Sequence, residues 1–570
     1  MTPKSYGPQK KAILLLISLL AIGFAGCDGD DGTNGADGAD GTDGAAGAPG
    51  APGTDGQACW DLNNNGVGDP EEDINGDGVV DVYDCNAYAS GAYEIDQLHA
   101  GYFTKHTYEG TESCLVCHGK LAEEVLETAH FKWEGVVANI AGLEGQIYGK
   151  RDILNNFCVA VPSNEGRCTQ CHTGYGWKDA TFDFGDPANI DCLVCHDQTD
   201  TYEKDEKTAG MPRETVDLQA VARSVAMNGG KPTIDNCIYC HARAGGDDNV
   251  KHGDLAMSLA NTTREYDVHM GTDGKAQFDC VACHQVKRDI DKNVLSHGIG
   301  GMPYHSVDEG YMKQCDECHL SLANQHAGKS VEIITSSHTT LACQVCHIPA
   351  IARHTSTKVE WRWEDAGPPE PDPVPVDNNR PPRKEWNIKK GSFKWANDVR
   401  PELRYFNGKW NKMIVGTGQP VDTDTYDPND LPVVLGEPLG DWDDGVSKIY
   451  PFKKMIGNQV ADVVNNRIMV PHLFGTAGGD NPYWGNWDWD KALLDAAAIT
   501  GQPYESGNFG FVDTVMYLTV NHEVAPKEMA YGFGGDCKDC HFDGQIDWQA
   551  LSYPIGDPAV HGTRDQQQNP

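Results

Sequence analysis

Positive charge is scarce in this chain: 45 Lys and Arg stand against 84 Asp and Glu, a net charge of −39 over 570 residues. Phosphate binding needs a basic stripe, and none is found, which excludes nucleic acid as a partner. The acidic shell favours basic redox partners and repels anionic substrates at long range. A site that reduces an anion must therefore be locally basic. Apolar residues are also few, at 39 %. The length alone suggests three or four domains. A side-chain core for such a chain would be thin, so the composition fits a core built largely around cofactors.

What is abundant is cysteine followed by histidine. Cys-x-x-Cys-His occurs eight times and uses sixteen of the twenty cysteines: Cys114, Cys117 and His118; Cys168, Cys171 and His172; Cys192, Cys195 and His196; Cys237, Cys240 and His241; Cys280, Cys283 and His284; Cys315, Cys318 and His319; Cys343, Cys346 and His347; Cys537, Cys540 and His541. In this motif two thiols form thioethers to haem vinyl groups and the histidine offers its imidazole to the iron. A zinc knuckle or redox dithiol uses Cys-x-x-Cys but has no need of histidine in the fifth place each time. The pattern predicts eight covalently attached c-type haems. The expected fold is a multihaem cytochrome c, mainly α with much irregular structure packed around the haems.

Lys10 and Lys11 precede the apolar run Ala12–Ala25, which ends in Gly26-Cys27. This is the layout of a lipoprotein-type signal peptide over 1–27, with Cys27 as the lipidated residue. The run is too short to span a membrane comfortably. The expected location is the periplasm or cell surface, with a lipid anchor. Phe24 departs from the aliphatic residue usual three places before the cysteine. From Gly29 to Gly56 every third residue is glycine, the collagen register. With two prolines between them, segment 28–57 reads as a flexible stalk or a weak collagen-like stem.

Segment 58–90 holds two tandem calcium-loop patterns. Asp61, Asn63, Asn65, Asp69 and Glu72 surround Gly66; Asp73, Asn75, Asp77, Asp81 and Asp84 repeat the spacing around Gly78. Alternating oxygen ligands about a glycine turn suit a hard cation such as Ca2+. Cys59 and Cys85 bracket the pair and are placed to close it with a disulfide in an oxidising compartment.

Seven motifs lie in 91–355. Section 356–530 has none but carries nine of the thirteen tryptophans, read as a packed aromatic wrapper around the haem core. Its proline-rich stretch Pro368 to Pro382 reads as an extended arm. The eighth motif and tail occupy 531–570. Amphipathic spacing predicts helices over Lys120–Ala138 and Asp217–Met227.

Each relay iron needs a second axial group. Thirteen histidines lie outside the motifs, more than eight irons can use. Those in compact sequence near motifs are the best candidates: His106, His130, His252, His269, His305, His338 and His522. Imidazole on both sides of an iron suits electron relay and blocks substrate.

The stretch His172-Thr-Gly-Tyr-Gly-Trp177-Lys178-Asp179, followed by Asp191-Cys192 and Thr201-Tyr202-Glu203, closely resembles the octahaem tetrathionate reductase family over roughly residues 95–545. The resemblance implies a lysine on the second haem's iron despite its ordinary attachment motif, and Lys178 matches that lysine. It also implies that Asp191 and Glu203 line the same pocket as proton carriers, with a cysteine nearby, either Cys85 or Cys158. An amine binds iron only when deprotonated, so such a lysine must be buried.

The resulting expectation is an exported reductase that takes a sulfur or nitrogen oxoanion, tetrathionate first and nitrite or hydroxylamine next. Its electrons come from a redox protein or quinol-linked cytochrome. One alternative is a non-enzymatic electron conduit with every iron six-coordinate. Another is a hydroxylamine oxidoreductase-like enzyme, although no pattern here establishes the cross-linked tyrosine that oxidation needs.

Overall fold

The computed structural model describes residues 80, 95–289, 294–301, 311–319, 326, 338–415, 423–475, 481–533 and 551. The signal peptide, the stalk, the calcium-loop ligands Asp61 to Asp84, Cys59, Cys85, His305, the eighth motif at Cys537, Cys540 and His541, and His561 lie outside the described residues. All the described residues belong to one compact unit, Gly56–Pro570.

The motif-bearing part is a set of short helices joined by turns. Helix α1 is Ile95–Lys105, α2 Glu112–Leu126, α3 Leu193–His196, α4 Leu218–Ser224, α5 Ile234–His241 and α6 Cys343–His347. They are short because each Cys-x-x-Cys-His must turn three side chains toward one cavity, which little more than one helical turn accomplishes. Asp217 caps α4 through the Ala220 amide, at the boundary expected from sequence. The helix expected over Lys120–Ala138 instead begins at Glu112 and stops at Leu126, and a two-residue strand, Gly135–Val136, follows a break at Trp133. Trp133 sits at φ 54°, a left-handed conformation that ends helices.

The expectation of a mainly α protein is corrected by the tryptophan-rich section, which folds as a nine-stranded sheet. Its strands are β1 Thr357–Arg362, β2 Trp386–Asn387, β3 Gly391–Ala396, β4 Glu402–Phe406, β5 Trp410–Lys412, β6 Val433–Pro438, β7 Lys448–Asp462, β8 Arg467–Ile468 and β9 Phe509–Thr519. The main path runs β5-β6-β9-β7-β1-β3-β2, with β4 and β8 also pairing with β7. The β6–β9 and β7–β1 pairs are parallel and the others antiparallel.

Aromatic and β-branched residues drive this sheet because they pack well on a pleated surface. Trp361, Trp363, Trp410, Leu435, Phe452 and Met455 are fully buried. A seventh helix, α7 Trp489–Thr500, lays Trp489, Ala492 and Leu493 into the core that Trp361 and Trp363 belong to and buries Ala496 on the same face. That spacing is the apolar stripe of an amphipathic helix. The proline-rich arm runs exposed between β1 and β2. No helix among the described residues is long and apolar enough to cross a membrane.

Candidate functional site: a haem cavity with one odd histidine

A single connected cavity of about 3270 Å³ runs between the motif-bearing helices and the sheet. Cysteines of motifs two to seven line it, and Trp361, Trp363, Phe406 and Met516 form its sheet-side wall.

The histidines show what fits inside. His118 faces His99 with ring centroids 5.9 Å apart, His241 faces His130 at 6.1 Å, and His196 faces His297 at 6.5 Å. His319 faces His269 at 6.2 Å, His284 faces His522 at 6.2 Å, and His347 faces His326 at 6.0 Å. Imidazole–metal bonds are about 2 Å long, so two rings on opposite sides of one metal stand roughly 6 Å apart between centroids. Hydrogen bonds do not explain these spacings: the Nδ1 atoms of His99, His130 and His297 are buried without a partner. Six of the seven described motifs thus bring two imidazoles to the spacing that one haem iron held between histidines would require.

Of the candidates drawn from sequence, His130, His269 and His522 each face a motif histidine; His99, His297 and His326 do so without having been singled out. His106 instead stacks on Tyr102 at 4.3 Å. His252 is buried in the cavity wall near His241 and His522, but no motif ring faces it among the described residues. His338 is half-buried ahead of the seventh motif.

The motifs also touch one another. Thiols meet between Cys114 and Cys192, Cys171 and Cys240, Cys237 and Cys280, and Cys315 and Cys343. Cys195 acts electrostatically on Cys237, and Cys318 on Cys283. The attachment points therefore run in the order one, three, four, five, six, seven, and motif two joins as a branch at motif four.

The branch is where the pattern breaks. His172 is fully buried, yet it faces no second histidine among the described residues. Its Nε2 meets the Phe131 carbonyl oxygen. Its ring is enclosed by Phe131, Trp133, Trp177 and Phe182 at centroid distances of 5.1, 5.6, 5.0 and 5.5 Å. His196, His241 and His347 end helices, whereas His172 follows a 3-10 turn with extended φ −76° and ψ 141°. The non-helical His284 and His319 still face a partner imidazole, so the enclosing aromatic rings fix His172 together with its backbone. Gly174 makes room for the imidazole: a Cβ there would lie 2.7 Å from His172 Cε1 and 2.7 Å from the Asn189 oxygen.

Lys178 does not meet the requirement for a lysine on iron. It is exposed and does not line the cavity, because the turn at Gly176 points Trp177 inward and leaves its neighbour outside. The cavity draws amines from elsewhere. Lys204 is buried but fully engaged: Nζ donates to the His172 and Gly174 carbonyls at 2.6 and 2.9 Å and pairs with Asp191 at 2.9 Å. Lys150 lies 3.6 Å over the Trp133 ring. Lys251 also lines the cavity, 5.9 Å from the Phe157 ring centroid. No hydrogen bond or ion pair involves its Nζ among the described residues, and burial pushes its amine down to about 8. That lowering is what an amine needs to bind metal near neutral pH.

Asp191 is buried, locked by Lys204, by the Tyr202 hydroxyl at 2.7 Å and by the Val194 amide at 3.1 Å. Glu203 lines the cavity rim and pairs with Arg213 at 2.8 Å. Cys158 lines the cavity near Cys168, and burial raises its thiol. Lys390, Lys358, Lys150 and Arg167 all act on that thiol, so the second motif sits in a cationic pocket within a strongly acidic chain. Asp248 lines the same cavity three residues before Lys251, and burial raises its carboxyl.

Lys251 and Asp248 escaped sequence reading because they follow the fourth motif, not the second. The signal was present in Gly245 and Gly253, which flank them at φ +96° and +85°. There, Cβ atoms would strike Val250 at 2.6 Å and Ile351 at 2.8 Å, which marks a fixed loop and not a solvated charge run.

Comparison with known proteins agrees with this geometry. Residues 358–544 match the family model of bacterial cytochrome c. An uncharacterised protein of Archaeoglobus fulgidus is 25 % identical over 227 residues, covering 31 % of this chain and 73 % of that protein. The crystal structure of octaheme cytochrome c from Shewanella oneidensis is 37 % identical, with a TM-score of 0.68, over 81 % of this chain and 97 % of that one. Facing imidazoles, adjoining thiols and this likeness lead to one conclusion: the chain belongs to the octahaem cytochrome c family and binds covalent c-type haems as a redox protein.

Proposed function

We propose that this protein is an exported octahaem reductase whose substrate is an anionic sulfur or nitrogen compound, tetrathionate before nitrite or hydroxylamine. Substrate would be reduced beside the haem attached at Cys168 and Cys171. The observation that carries this reading is the exclusion of His172 from any imidazole pair, while six other motifs have one.

A haem bound there supplies electrons and an iron not closed by two histidines. The chain's own residues do the rest. Lys150, which acts on Cys168, Cys171 and His172, and Lys251 are the cavity-lining amines that would hold that iron. Arg167, Lys150 and Lys390 at the cavity wall offset the repulsion that the acidic surface imposes on an anion. Splitting the central S–S bond of tetrathionate takes two electrons, gives two thiosulfates and consumes no proton. Nitrite and hydroxylamine need protons as well, for which Asp248, half-buried at the cavity wall three residues before Lys251, is a candidate carrier. Asp191 is less suited, because its lone pairs are committed to Lys204, Tyr202 and Val194. The remaining motifs form the relay that delivers electrons to motif four and then to motif two. Eight haems, a calcium-loaded clasp at Asp61 to Asp84 and a lipid anchor at Cys27 complete the reading, with a basic cytochrome or a quinol-linked one as donor.

The test is turnover with reduced viologen as donor, joined to the spectrum of the oxidised protein. A reductase consumes tetrathionate, and one haem responds to cyanide or nitrite. An electron conduit gives no turnover and eight unresponsive low-spin haems.

A further inference from the structure

The buried pair Lys204–Asp191 has no evident role in binding substrate, yet neither residue exposes more than 1 % of its surface. Burying an ion pair is costly and gains little net stability, so its placement calls for a specific structural reason. The three donor sites of Lys204 Nζ are used in one place: the His172 carbonyl at 2.6 Å, the Gly174 carbonyl at 2.9 Å and Asp191 at 2.9 Å. Asp191 is tied to the same loop by its backbone, since its amide donates to the Thr173 carbonyl at 2.9 Å. Gly174 also bridges to Ile190, and the Tyr175 amide reaches the Asn189 carbonyl at 2.8 Å.

These bonds clamp residues 172–175 and hold His172 in its extended conformation, φ −76° and ψ 141°. That conformation, in turn, is what directs the imidazole into the cage of Phe131, Trp133, Trp177 and Phe182. A histidine that directly follows its motif's second cysteine would otherwise reach the iron, as the six that face a second imidazole would.

We propose that Lys204 and Asp191 are positioning residues that withhold His172 from the haem of its own motif, keeping that iron free of histidine. This inference rests on the reading of the second haem as the reactive one. Three consequences follow from the geometry. Removing the ammonium frees two carbonyls and lets the 172–175 loop relax. Removing the carboxylate leaves the ammonium buried without its counter-charge, which loosens the same loop. Filling the space at Gly174 drives the imidazole out of its cage from the other side.

The experiment uses the full-length haem-loaded protein grown on 15N-histidine and examined in its oxidised form by hyperfine EPR. The parent protein is expected to show one ferric haem whose signal carries no histidine nitrogen coupling. In Lys204→Met, Asp191→Asn and Gly174→Ala that uncoupled signal is expected to disappear, as His172 reaches the iron. Tetrathionate turnover falls about 100-fold, the scale of a displaced reacting group. Lys204→Arg, which keeps the charge and the donors, retains the uncoupled signal.

If Lys204→Met does not fold, Asp191→Asn and Gly174→Ala carry the test, being smaller changes at the same loop. An uncoupled signal that persists unchanged in the folded variants overturns the proposal and leaves the reactive-haem reading intact. A parent protein with histidine coupling on every haem overturns both.

Discussion

The imidazoles of His284 and His522 face each other with centroids 6.2 Å apart and planes inclined by 25°, although 238 positions of sequence separate them. His284 belongs to the fifth motif, and His522 follows the longest edge-to-edge pairing of the sheet, where β9 lies against β7. The chain leaving the sheet therefore brings an imidazole opposite that of motif five, where it would serve as the second ligand of that motif's haem.

Removing that ligand tests the pairing. His522→Ala is expected to convert one low-spin haem into a high-spin one, read by EPR of the oxidised protein. Motif five stands between motifs four and six, so electron delivery to motif two from the far end should also slow. Stopped-flow reduction would show this as a delayed phase. A variant that keeps the parent spectrum would separate His522 from the iron.

The identity of the amine is tested by a pair of substitutions. Lys251→Ala is expected to lower kcat for tetrathionate about 100-fold, comparable to the loss of one preorganised group in a dry site. Lys178→Ala changes an exposed residue and should alter stability by no more than about 0.5 kcal/mol, with unchanged turnover. The reverse pattern would return the ligand to the residue after Trp177.

Charge selection by the pocket is readable in KM. Arg167 lies 5.8 Å from the Phe474 ring and 5.4 Å from that of Trp484 at the cavity wall. Arg167→Gln should raise KM for anionic tetrathionate about tenfold, since a local cation offsets long-range repulsion. The KM for uncharged hydroxylamine should change little. Equal changes for both would show a steric effect and not a charge effect.

Glu165, at the start of the turn that presents Cys168, gives a stability dependence on pH. Burial is the largest influence on its carboxyl and pushes it up from 4.5 to about 7. The folded protein then holds a proton that the unfolded chain has released between those values, so stability falls as pH rises from about 4.5 to 7. Glu165→Gln removes this dependence. The gain over parent should grow toward pH 7.5, up to about 3 kcal/mol, read as the difference in urea midpoint between pH 5 and pH 7.5. A constant difference across that range would place the carboxylate in contact with water.

Much of the chemistry was legible from residues close together in the chain. Cysteine, cysteine and histidine within five positions are brought to one porphyrin by a single turn, so the motif needs no distant information. The cap at Asp217 was local in the same way. The sheet was legible only in fragments: Trp361-Arg362-Trp363 and Phe393-Lys394-Trp395 alternate, but a central strand such as β7 is buried on both sides and shows no alternation. The distal histidines were half legible: His130 lies near the motif it serves in space but 111 positions from His241, and proximity in sequence is a poor guide to such pairs.

By itself the sequence determined that haem would be attached covalently at regular signals, that the exterior would be acidic, and that any anion site would need local cations. Only the tertiary structure decided which imidazoles meet, because that depends on helices and strands separated by hundreds of residues closing on one cavity. It also decided that His172, identical in its motif to its counterparts, turns away. Its backbone is held by a lysine and an aspartate from elsewhere in the chain, and a glycine leaves the space its ring requires.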